Sequence, residues 1–158
     1  MQMTRHADYA FRILLYLGTQ PEGHIVSTEE ISRSYGISKH HLVRVVQTLN
    51  QHGYVTVSPG RSGGIALARE AHRIRLGDVM RIAEANLKIV ECFDAETNTC
   101  PILPVCRLKP VLAEALDAFL AVLDRYTLAD MLDPDRRLRL TKLFAISGSA
   151  NRQGVRHD

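Results

Sequence analysis

Apolar residues recur every three or four positions over residues 3–17, where Ala7, Ala10, Phe11, Leu14 and Leu17 fall on one face. This period predicts a helix, with Gly18 as its left-handed C-cap. A polar loop leads to Ile25-Val26, which reads as a short strand. Ser27, followed three residues later by Glu30, has the spacing of a capping box and predicts a helix up to Tyr35, closed by Gly36. Ser38 is the natural N-cap of a second helix over residues 39–52, with Leu42, Val45, Val46 and Leu49 as its buried stripe and Gly53 as its stop. Two short helices joined by a tight glycine-containing turn predict a helix-turn-helix. Residues 54–58 and 65–68 then read as the two strands of a hairpin, joined by the turn Pro59-Gly-Arg-Ser-Gly-Gly.

The second half is helical in pattern. A short helix is expected over residues 78–84, with Val79, Ile82 and Ala83 inward. The clearest period of the chain covers residues 109–124, through Leu108, Val111, Leu112, Ala115, Leu116, Phe119 and Leu123. Leu120 and Val122 widen that face beyond what one packing partner requires, so this helix is read as the seam of a homodimer. Further helices are expected over 127–132 and 134–145. From Ile146 the composition turns polar and glycine-rich and predicts a flexible tail over 146–158. The domain reading follows: a DNA-binding winged helix over 1–75, a connector helix and cysteine loop over 76–107, and dimerisation and C-terminal helices over 108–145. The fold class is mainly α with a small β-hairpin wing.

Composition narrows the picture modestly. The 158 residues are 46% hydrophobic and 23% charged, the profile of a soluble globular chain. No apolar run approaches the roughly 20 residues needed to span a bilayer, and Arg5, His6 and Asp8 interrupt any signal-peptide pattern. The expected location is the cytoplasm, with no membrane partner. A net charge of +3 permits nucleic acid as a partner without establishing it.

The outward residues of the second helix carry the stronger signal. Lys39, His40, His41, Arg44 and Gln47 occupy its first turns, where a recognition helix meets base edges. Arginine pairs with guanine, and glutamine or asparagine with adenine. Ser38 and the free N–H groups beside it suit a backbone phosphate, and Thr28 at the start of the preceding helix joins this set. Arg61 at the hairpin tip is placed to reach a phosphate or a minor groove. The glycine-rich turn is not followed by a lysine-serine or lysine-threonine pair or by a helix start, so a nucleotide-binding P-loop is excluded. No dinucleotide fingerprint or substrate-pocket motif supports an enzyme. Double-stranded DNA is the expected partner.

All three cysteines lie between residues 92 and 106, separated by gaps of seven and five residues. An odd number cannot pair completely as disulfides, and clustered cysteines in a reducing compartment point to metal binding or redox chemistry. Gaps of seven and five do not match the close cysteine pairs of structural zinc sites. An iron–sulfur cluster and a thiol redox switch both stay open on spacing alone. Asp8, one turn after Thr4, reads equally as a solvated carboxylate near a helix N-terminus.

The opening Met-Thr-Arg-His-Ala-Asp-Tyr-Ala-Phe-Arg, the Ser-Lys-His-His-Leu helix start, the Gly-Arg-Ser-Gly-Gly-Ile wing and the three-cysteine loop together resemble the iron–sulfur winged-helix repressors. That family includes IscR-type and nitric-oxide-sensing NsrR-type members, and the resemblance covers about residues 1–145. IscR-type members carry a histidine ligand three residues after the last cysteine, where this chain has Lys109. The chain is more similar to the NsrR type, whose fourth ligand is an aspartate from the first helix of the other subunit; this maps to Asp8. The first cysteine gap is longer than in IscR-type members. The resemblance therefore implies a cluster held by Cys92, Cys100, Cys106 and Asp8, of the 4Fe–4S type in preference to 2Fe–2S. It further implies a homodimer that represses from a near-palindromic operator and lets go on exposure to nitric oxide. The alternative within the same fold is a cluster-free thiol sensor.

Overall fold

Thr4 starts the first helix, α1 (Arg5–Thr19), by accepting a hydrogen bond from the Ala7 N–H on its Oγ1, which satisfies one of the orphan donors of the first turn. In this computed structural model, which describes residues 2–60, 63–84 and 86–153, α1 is the centre of the core. Ala7, Ala10, Ile13, Leu14, Tyr16 and Leu17 are buried on it, while Phe11 is only half-buried. The buried face is wider than the predicted stripe because three later helices, Lys39–Gln51, Leu76–Ala83 and Pro134–Gln153, all pack against α1. Gly18 does not end the helix. It continues to Thr19, and an added Cβ at Gly18 would overlap Leu132 Cδ1. The glycine serves close approach of a returning segment rather than a left-handed cap.

The helix-turn-helix forms as the pattern predicts. Ser27 Oγ accepts from the Glu30 N–H at 3.1 Å and opens α2 (Thr28–Tyr35). Gly36, with φ of 64°, closes it in the left-handed region that favours glycine. The next helix, α3 (Lys39–Gln51), buries Leu42, Val45, Val46 and Leu49. Strands β1 (Val55–Ser58) and β2 (Gly64–Leu67) pair antiparallel, with Val55 opposite Leu67 and Ser58 opposite Gly64. Ile25-Val26 is not a strand of its own: Val26 makes a single bridge to Ile65, too short a pairing to propagate. Its two backbone hydrogen bonds to Ile65 nevertheless tie the hairpin to the start of the helix-turn-helix.

The connector helix α4 spans Leu76–Ala83, two residues earlier than its apolar period suggested. Its start is set by tertiary pairing, because the Leu76 N–H donates to Tyr126 O and the Leu128 N–H to Ile74 O. Helix α5 (Leu108–Asp124) packs on α4, and Arg81 grips Asp124 with both guanidinium nitrogens at 2.7 Å. Gly77 lies under this fork, and an added Cβ there would overlap the Asp124 carboxylate. The expected helix over 127–132 is a single 3-10 turn, Ala129–Met131, with Leu128 fully buried beside it.

The last helix, α6, runs over Pro134–Gln153, beyond Ile146, where a flexible tail was expected. The reason is packing: Phe144 sits against Tyr16 and Tyr35, with ring centroids 4.7 and 5.1 Å away. Arg137 also donates to the carbonyls of Thr19 and Gln20. Docking on α1 and α2 carries the polar, glycine-containing turns that follow, since tertiary contact rather than propensity supplies most helix stability. Residues 154–158 of the expected tail lie outside the described residues.

Candidate nucleic-acid interface and cysteine loop

The outer face of α3 is built by subtraction. Once its apolar stripe is committed to α1 and the hairpin, Lys39, His40, His41, Arg44, Gln47 and Asn50 are left exposed. Ser38 occupies the N-cap, but its side chain makes no capping hydrogen bond, so its hydroxyl is not consumed by the helix. Lys39 lies 3.7 Å from Glu29 of α2, an exposed ion pair of little strength that a phosphate can displace. The His41 ring is 6.1 Å from that of His40 and 6.4 Å from that of Tyr9. Thr28 is half-buried in the first turn of α2. Arg61 of the wing tip lies outside the described residues.

Two further features complete this face. Val43, off the stripe of Leu42, Val45, Val46 and Leu49, is 40% exposed in the midst of the polar residues. Arg69, just after β2, donates to Gly53 O at 2.8 Å and His52 O at 2.9 Å and lies over the Tyr54 ring at 4.5 Å. It thereby locks the end of α3 to the hairpin. A second tie comes from α1, where His6 Nε2 and Thr48 Oγ1 of α3 are 3.0 Å apart.

The cysteine loop is held by its own polar groups. Cys92 lies in the 3-10 turn Glu91–Phe93, and Cys106 directly follows the turn Leu103–Val105, just ahead of α5. Glu91 accepts from the Thr99 N–H at 2.6 Å and its hydroxyl at 2.7 Å, drawing the chain before Cys100 back beside Cys92. Asn98 accepts from the Cys100 N–H, and Lys88 pairs with Asp94 at 2.7 Å. These contacts lower both acids: the Thr99 hydroxyl and amide act on Glu91, and Lys88 followed by the Glu96 amide acts on Asp94. The three thiols are free and half-buried. As soft donors on one short loop they suit an iron–sulfur cluster better than a hard cation.

Asp8 is engaged on its own helix. It lies half-exposed in α1, where Arg12 binds both its carboxylate oxygens, Nε at 3.0 Å and Nη2 at 2.8 Å. Arg12 in turn lies between the rings of Tyr9 and Tyr35, 5.8 and 5.7 Å from their centroids, and its carbonyl accepts from the Tyr35 hydroxyl. Among the described residues, no three His, Cys, Asp or Glu side chains converge as a ready-made metal site within the single chain.

Residues 3–134 match the family of iron-dependent transcriptional regulators called Rrf2. The chain belongs to the Rrf2 family. It is 47% identical over 132 residues to the HTH-type transcriptional regulator NsrR of Bacillus subtilis, covering 84% of this chain and 90% of that one. The NsrR of Geobacillus kaustophilus is likewise 47% identical over 139 residues, 88% of this chain and 95% of the other. Among solved structures, T. potens IscR superposes with a TM-score of 0.66 at 27% identity, covering 84% of this chain and 86% of its own. The cysteine regulator CymR of B. subtilis shares the fold, with a TM-score of 0.64 at 24% identity over 83% of this chain and 95% of that one. The resemblance to NsrR-type regulators is thus borne out. The named relatives are regulators of transcription, not enzymes. Among the described residues, no helix is long and apolar enough to cross a membrane.

Proposed function

We propose that this Rrf2-family regulator is a dimeric cytoplasmic repressor that senses nitric oxide through an iron–sulfur cluster held on its cysteine loop. The observation that carries this reading is the loop itself: three free, half-buried thiols on one segment braced by Glu91 and Thr99, in a chain 47% identical to NsrR proteins. Cys92, Cys100 and Cys106 of one protomer would hold the cluster, with Asp8 of a second copy as the fourth ligand; 4Fe–4S is favoured over 2Fe–2S. When bound, the cluster supplies iron reactive toward nitric oxide, the signal.

The remaining work falls to the chain's own residues. Asp8 lies on α1, which packs against α3, and its partner Arg12 touches Tyr35 at the end of α2. A carboxylate that leaves Arg12 to bind across the dimer, and returns when released, alters contacts on the two helices of the DNA-binding unit. Lys39, His40, His41, Arg44 and Gln47 read the operator, Ser38 and Thr28 hold backbone phosphates, and Arg61 anchors the wing. Each half-site then spans one major groove, about one helical turn from the next. A shift in protomer orientation breaks that spacing, and each loss of about 1.4 kcal/mol weakens binding tenfold.

Native mass spectrometry of the anaerobically purified protein, loaded with operator duplex and then titrated with nitric oxide, tests the reading. It should show a dimer carrying iron and sulfide that releases DNA as nitric oxide is added. Cys92→Ala should carry no cluster and bind the operator more weakly. Equal operator affinity for Cys92→Ala and the loaded wild type would refute the mechanism. A colourless wild type with three titratable thiols would favour the thiol switch instead.

A further inference from the structure

On α3 a single apolar side chain stands in the outward face. Val43 lies four residues after Lys39 and four before Gln47, so the three form one row along the helix. His40, three residues before it, borders the row on the other side. All of these neighbours are exposed, and Val43 itself is 40% exposed, whereas the preceding Leu42 and the following Val45 and Val46 are buried. Its γ-methyls therefore contribute little to the core. Nor do they favour the helix, since valine is a poorer helix former than the lysine, glutamine or alanine that would fit the same surface position. A lone exposed valine elsewhere would call for no explanation. In the first turns of a helix whose other outward residues are all polar, it is the one group able to make an apolar contact.

The major groove displays one apolar group, the 5-methyl of thymine, beside donor and acceptor atoms that the neighbouring Lys39, His40, Arg44 and Gln47 can bind. We propose that Val43 is a specificity-determining residue that reads a thymine 5-methyl in each operator half-site. This rests on α3 being the recognition helix and adds the chemical identity of one base in the site. The stiff β-branched side chain suits the task, because its χ1 is nearly fixed in a helix and little freedom is lost on contact.

The test uses the full-length, anaerobically purified dimer and the tightest duplex it selects from a randomised pool. Each thymine is replaced in turn by uracil, which removes only the methyl group, and affinity is measured by fluorescence anisotropy at one salt concentration. Wild type should lose about fourfold at one symmetry-related thymine, the effect of one methyl leaving an apolar contact, and little at the others. Val43→Ala should bind the thymine and uracil duplexes equally at that position, and Val43→Thr, which keeps one methyl, should retain part of the difference. Lys39→Ala should bind more weakly overall with the thymine preference intact. A flat wild-type uracil series, or a preference that survives in Val43→Ala, overturns the assignment. Arg44→Ala separates this failure from that of the underlying reading: undiminished affinity for every duplex would mean that α3 is not the recognition helix at all.

Discussion

Single side chains set the local geometry, and two of them can be tested directly. Ser27 caps α2 through its hydroxyl, so Ser27→Ala should destabilise the protein by about 1 kcal/mol, lowering the melting temperature by about 2–4 °C for a chain of this size. Differential scanning calorimetry measures this, and an unchanged melting temperature would show that the cap is dispensable. Asp124 has its carboxyl held below the ordinary value of 3.8, first by the hydrogen bond from Arg81 and then by the charges of Arg81 and Arg75. A depressed folded value means that the contribution is complete above the ordinary value and is lost as pH falls through the depressed one. Melting temperatures of wild type and Asp124→Asn should therefore differ near neutrality and converge as the solution is acidified below about pH 4. The group is half-exposed, so the gap should be small and should shrink with added salt.

At the scale of elements, α3 and the hairpin are held together as one unit. Arg69 joins them by donating to the last carbonyls after α3 while lying on Tyr54 at the start of the hairpin. Arg69→Ala should weaken operator binding several-fold with the protein still folded. Because the guanidinium is engaged with carbonyls rather than offered to phosphate, the dependence of log affinity on log salt should keep its slope. A phosphate contact would instead reduce that slope by about one. Filter binding over a salt series distinguishes the two. The same lesson applies to α6, whose polar residues past Ile146 stay helical because Phe144 anchors them on Tyr16 and Tyr35.

For the whole molecule, the question is what covers α5. None of its residues is buried in the single chain, and Leu108 and Val111 are 61% and 58% exposed despite the most regular apolar period of the sequence. Beside it, Met3, Met80, Leu87, Leu112, Leu116 and Phe119 line an apolar groove. A second copy covering this surface, as proposed above, would account for the pattern. Val111→Glu should leave the chain folded, because the side chain bears no core contact, yet shift it to monomer in analytical ultracentrifugation and abolish tight operator binding. A dimer that persisted would place the seam elsewhere.

Periodicity, capping and turn residues were enough to read the helix-turn-helix, the hairpin and the long helix, since each rests on local rules such as Ser27 as cap and Gly36 at positive φ. The three cysteines and the polar face of α3 were legible for the same reason, as residue type and spacing suffice to mark them. What depended on distant contacts was not. Gly18 looked like a helix stop until Leu132 was found against it, and α4 began two residues early because Tyr126 offers its carbonyl to Leu76. A lone arginine after a strand could not reveal that Arg69 locks two elements together. The sequence alone determined the helix-turn-helix, the hairpin, the long helix, the grouping of the cysteines and the polar character of the outer face of α3, because those follow from neighbours along the chain. Only the tertiary structure decided that Arg12, the i,i+4 partner of Asp8, also lies over Tyr35, and which apolar faces remain uncovered, because each of these is set by residues far apart in sequence.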